Sequence, residues 1–178
     1  MKKLLLLVAS LTIVLAACSS EKEETPETTT NGSGAAKTEE KVNPAADMMK
    51  FYLSISQSIN EVDADLNTFE IAQGEASLPE GAELKTMKDA AKVSADNAAA
   101  KVEAMEVPEA LTKHQDAIES ALTKMHEAYT MKSQALVSEG DVKLDEANVK
   151  FQEADTELNA VLEEIGLVGS SIFNEVSL

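Results

Sequence analysis

The chain reads as an all-α protein: an antiparallel up-down-up-down four-helix bundle preceded by a signal peptide and a disordered tether. Three observations predict it. Between Met48 and Phe69 the apolar residues Met48, Tyr52, Ile55, Ile59, Val62, Leu66 and Phe69 follow at spacings of four and three. An α-helix gathers all of them on one stripe, whereas a strand would scatter them over both faces. Comparable stripes recur three more times, separated by Gly- and Pro-marked breaks. Ala, Glu, Lys, Leu and Met, the strong helix formers, dominate the residues between those breaks.

The first helix opens at Asn43-Pro44, a good N-cap followed by a proline suited to the first helical position. It carries the Met48–Phe69 stripe without interruption to about Gln73, where Gly74 closes it. Ser77-Leu78-Pro79-Glu80 has the spacing of a capping box and announces the second helix. Its stripe is Leu84, Met87, Ala91, Ala95, Ala98, Val102 and Met105, an alanine-rich face that lets a neighbour approach closely. The pattern fades at Val107-Pro108, because the residue before a proline resists the helical region.

The third helix restarts at Pro108 with Leu111, His114 or Gln115, Ile118, Leu122, Met125, Tyr129 and Leu136, and ends at Gly140. Asp141 is the expected cap of the fourth, whose stripe is Leu144, Ala147, Phe151, Ala154, Leu158, Leu162 and Ile165, closed by Gly166. The tail, with Leu167, Val168, Ile172, Phe173, Val176 and Leu178, is too apolar to be solvated and is expected to fold back. Short connections make neighbouring helices antiparallel, and a repeat near 3.5 gives shallow left-handed packing as in a coiled coil. The alternative fuses the second and third helices into one rod kinked at Pro108.

Charge excludes one class of function. The chain of 178 residues has 32 acidic residues against 15 basic ones, and all 15 are Lys. A net charge of −17 without any Arg repels a polyanion and lacks the side chain best suited to phosphate and base edges, so nucleic-acid binding is not expected. Aromatics are 3% and Trp is absent, which leaves little for stacking platforms.

The first residues are of another kind. Met1-Lys2-Lys3 is a short positive start, and residues 4–17 form an apolar run broken only by Ser10 and Thr12. That is short for a membrane span and has the layout of a secretory signal. It ends Leu15-Ala16-Ala17-Cys18, which resembles the lipobox of bacterial lipoproteins. The resemblance implies a diacylglycerated, palmitate-type lipid on Cys18, cleavage just before it, and anchoring on the extracytoplasmic face of the bacterial cell membrane. The plainer reading is an ordinary secretory signal with an incidental cysteine. Cys18 is the only cysteine, so acylation would consume an otherwise awkward free thiol, and no disulfide can form within one chain. Two acyl chains anchor durably where one would not.

Residues 19–42 hold one large apolar residue, Val42, among Ser, Thr, Glu, Lys and Gly. Such a segment cannot bury enough surface to fold and reads as a spacer of about 25–30 Å mean reach. The expected organisation is therefore a signal peptide over 1–17, an acylated cysteine and flexible linker over 18–43, and a helical domain over 44–178. The absence of Arg and the Ser/Thr/Glu spacer also resemble small helical lipoproteins of Gram-positive bacteria.

Candidate chemistry is sparse. A di-iron bundle needs Glu three residues before His, but Leu111 precedes His114 and Thr123 precedes His126 at that spacing. The two histidines lie twelve residues apart on one expected helix, too far to share a metal, and read as boundary residues. Asp63-Ala64-Asp65-Leu66-Asn67 resembles the start of a calcium loop, but Thr68 stands where Gly is needed and Gly74 where the bidentate Glu is needed. These carboxylates are expected on a solvated helix face. Methionines at stripe positions read as core filling rather than haem ligands. No phosphate loop or nucleophile elbow is present. The expectation is a non-enzymatic interaction module that binds another cell-envelope component, without metal or cofactor. The alternative is a carrier of a small ligand, metal or haem inside the bundle.

Overall fold

The computed structural model describes residues 43–177. The expected signal peptide, the lipidation residue Cys18 and the linker up to residue 42 lie outside the described residues. Those described are all-helical, with six α-helices and one 3₁₀ helix and no strand. No helix among them is long and apolar enough to cross a membrane.

Helix α1 spans Pro44–Asn60. Asn43 caps it, accepting from the Ala46 N–H at 3.4 Å, and Pro44 takes the first position. The expected single first helix is divided. Residues 61–63 interrupt it, and α2 spans Ala64–Gly74. The physical reason is a carbonyl with another partner. Ser94 Oγ donates to Val62 O at 2.6 Å, drawing that carbonyl away from the helical ladder. Val62 is then only half-buried, while Leu66 and Phe69 resume the stripe with 1% and 0% exposure.

Gly74 is the last residue of α2 rather than its left-handed cap. That role falls on Ala76, at φ 54°. The Ala76 N–H donates to Gln73 O at 3.1 Å and the Ser77 N–H to Ala72 O at 2.8 Å, the paired bonds of a Schellman motif. Ser77 Oγ also donates to Ala72 O, so this serine finishes α2 and does not begin the next helix. The expected capping box is not formed. Helix α3 spans Gly81–Glu103 with Glu80 as an N-cap that makes no side-chain bond.

Residues 104–108 separate α3 from the next helical element, which removes the fused-rod alternative. A 3₁₀ helix over Glu109–His114 then leads into α4, Gln115–Leu136. Helix α4 ends before Gly140, and α5 begins at Asp145, beyond Asp141. The difference comes from Val142 and Leu144, which tuck into the core. Gln73 Nε2 holds this connection by donating to Val142 O at 2.7 Å. Helix α5 spans Asp145–Glu164 and closes on Gly166 at φ 85°, with Leu167 N–H to Leu162 O at 2.8 Å. Helix α6, Ile172–Val176, folds back against α1 and α5, as its apolar sequence requires.

Helix α3 packs against α4, and α4 against α5, while α1 and α2 run one after the other along α3. The four stripes meet in one core. Met48, Ile55, Ile59, Ala95, Ala98, Ile118, Met125 and Leu158 are all fully buried. Each fully buried large side chain contributes roughly 1.5–3 kcal/mol of transfer free energy. Tyr129 and Phe151 meet edge to face at 5.6 Å, and Phe151 reaches Phe173 of α6 at 5.5 Å.

Candidate functional site

Lys132 occupies the α4 stripe seven residues after Met125 and is buried, with 3% exposure. An ammonium there needs a partner. Glu70 of α2 supplies it, with Nζ to Oε1 at 2.7 Å. The ammonium also lies 5.8 Å from the Tyr129 ring centre and 5.9 Å from that of Phe173. Asp63, at the break between α1 and α2, completes the cluster. It is 2% exposed, and its Oδ2 is buried without a hydrogen-bond partner. The expected solvated face is therefore corrected at Asp63, while Asp65 is exposed. Breaking the helix at 61–63 turns Asp63 inward.

Burial pushes the Asp63 carboxyl above its usual range, while the Asn67 side chain and the Lys132 charge pull it down. Burial also raises the Tyr129 hydroxyl well above the phenolic value, and the nearby carboxylates of Asp63 and Glu70 add to this. Two carboxylates and one ammonium enclosed together tie α2, α4 and the break into one unit. The arrangement is an ionic lock in the core.

A second polar anchor holds the tail. Asp155 of α5, 8% exposed, accepts from Ser171 Oγ at 2.6 Å and the Ile172 N–H at 3.0 Å, so its carboxylate caps α6. Burial raises the Asp155 carboxyl and these donors partly offset it. Asn159 Oδ1 accepts from the Ser170 N–H at 2.9 Å. Tyr52 lies in the same region, and burial pushes its hydroxyl up to about 12.

The histidines are kept apart. His114 falls in the 3₁₀ helix, not in the same α-helix as His126, and its Nδ1 faces Glu164 at 3.2 Å. His126 lies 4.0 Å from Glu103. Among the described residues no group of three or more His, Cys, Asp or Glu converges as a metal site would require. Met48 and Met125 are core residues, whereas Met49 is 41% exposed.

The described surface carries open grooves. One of about 480 Å³ runs between α2 and the first half of α3, with Asp65 and Glu83 at its edges and Met87 and Ala90 within it. Another of about 390 Å³ lies over the α1–α2 break, between Asn60, Asn67, Ile71 and Glu175. From residue 43 onward the chain has 26 acidic residues against 10 Lys. Compared with known family models, curated proteins and solved structures, the chain matches none.

Lys132, Asp63 and Asp155 are the buried charged residues that the apolar stripes do not include. The signal for Lys132 is in the sequence: it fills the gap between Tyr129 and Leu136 at heptad spacing. Asp63 lies four residues after Ile59 and three before Leu66, and Asp155 four after Phe151. A charged residue in phase with a stripe points to a buried partner of opposite sign or to a cap.

Proposed function

We propose that the chain is a membrane-anchored extracytoplasmic lipoprotein whose helical domain is a non-enzymatic interaction module for another cell-envelope component. The observation that carries this reading is Leu15-Ala16-Ala17-Cys18 at the end of a basic start and an apolar run. The spacer after it delivers the chain to Asn43, where the helical domain begins. In this reading Cys18 carries the lipid, residues 19–42 are the tether, and the domain is a four-rod bundle in which α1 and α2 act as one broken rod.

Two features favour an interaction module over a catalyst. Two of the charged side chains that the core encloses are engaged in pairing and capping: Lys132 with Glu70, and Asp155 with α6. The surface is acidic and carries exposed Leu53, Ile71 and Val93 at 45%, 48% and 58%. Replacing Cys18 tests the anchor. Cys18→Ala expressed in a lipoprotein-processing bacterium should release the chain from the membrane fraction and lose label from a clickable fatty acid. A Cys18→Ala chain that keeps the label would overturn the assignment.

A further inference from the structure

We propose that the groove between α2 and the first half of α3 docks a cationic amphipathic helix of a partner protein. This rests on the interaction-module reading and adds a place and a partner chemistry to it.

The groove exists because α3 is unevenly covered. From Ala91 to Val102 it buries Ala91, Ser94, Ala95, Ala98, Ala99 and Val102, but from Gly81 to Ala90 it buries none fully. Leu84 and Met87 reach the core only in part. Alongside that half lies α2, only 11 residues long. Between them Pro79, Ala82, Met87 and Ala90 line a mostly apolar channel of about 480 Å³. Small side chains on its walls leave room for large ones from outside, as in helix-in-groove recognition.

Its edges carry one sign of charge. Asp65 and Glu83 line the groove, and neither pairs with a Lys among the described residues. The nearby lysines of α3 are engaged elsewhere: Lys85 with Asp89, and Lys88 with Ser138 O at 2.7 Å. Exposed Glu75 and Glu80 stand in the connection beside the groove. A second copy of this acidic chain would bring like charge to that rim. An incoming helix with leucine-type side chains on one face and Lys or Arg flanking them satisfies both floor and edges. Excluding water from the floor would strengthen the attraction at the edges.

The probe is a synthetic helical peptide of Leu and Lys with all Leu on one face, titrated into the full chain in detergent micelles. One-to-one binding is expected, and exchanging every Lys for Glu should abolish it. Asp65→Lys with Glu83→Lys should weaken binding tenfold or more. Glu106→Lys with Glu163→Lys, an equal change in net charge away from the groove, should leave it within about twofold. Ala82→Arg, at an exposed position that the fold does not need, should also weaken binding tenfold by blocking the channel. Equal losses in both double variants would reduce the effect to general electrostatics and overturn the proposal. So would failure of the Leu/Lys peptide to bind, or a dimer of the chain that Ala82→Arg dissociates. Failure here leaves lipidation of Cys18 untouched, and an unacylated Cys18 leaves the groove untouched, so the two readings fail separately.

Discussion

At the scale of single residues the stability of the domain turns on a few enclosed polar groups. Lys132→Met strands Glu70 and Asp63 as uncompensated carboxylates and should destabilise by about 3–5 kcal/mol in denaturant unfolding. Lys132→Met with Glu70→Met should recover the part of that loss that comes from Glu70, because an apolar pair replaces an ionic one while Asp63 stays without its ammonium. Additive losses would show that the two side chains do not act together. Asp63 gives a pH dependence of definite sign. Its carboxyl is raised in the folded state by burial. The folded chain therefore holds a proton that the unfolded chain has released, and this group adds stability as pH falls through the raised value. Asp155 acts in the same direction, and Asp96, lowered chiefly by hydrogen bonds from Lys92 and Ser133, acts in the opposite one. Asp63→Asn isolates the first contribution. It should melt above the parent at pH 7, and the difference should shrink on acidification to about pH 4. A difference that widens would contradict the assignment.

Ala76 is a simpler case. It holds a left-handed conformation at φ 54° that glycine adopts without strain. Ala76→Gly should raise stability by about 0.5–1 kcal/mol in thermal or denaturant unfolding, and a loss would mean that the cap has another geometry in solution.

Among the elements, the broken first rod is the most informative. Ile59 sits in the last turn of α1 before the break and is fully buried, whereas Glu61 within the break is exposed and pairs with Lys101 at 2.8 Å. Ile59→Asp should unfold the domain or destabilise it by several kcal/mol, while Glu61→Ala should leave the melting temperature almost unchanged. Equal melting temperatures would contradict the packing of α1. The ends of helices are legible wherever local chemistry decides them, as at Asn43-Pro44 and at Gly166. The break at 61–63 is not, because the stripe runs through it in phase and its cause, the Ser94 hydroxyl on Val62 O, lies 32 residues away. The start of α5 departs from Asp141 because Val142 and Leu144 serve the core from a connection, not from a helix. Buried Lys132 can be placed by spacing, but its partner cannot, since Glu70 comes from another helix.

For the whole molecule, the all-helical class and the returning tail follow from periodicity and apolar content, which local sequence carries well. The groove between α2 and α3 does not, because it arises where two helices fail to cover each other. Helix α1, 17 residues and about 25 Å long, stands between Asn43 and the break, so α2 and α3 present the groove well along the domain from Asn43. The central claim is that this domain is held to a membrane by lipid on Cys18. Intact mass analysis of the chain extracted from bacterial membranes tests it most directly. The account predicts a chain that starts at Cys18 and carries a diacylglyceryl group. A chain that retains residues 1–17, or one cut elsewhere with an unmodified thiol, would contradict it.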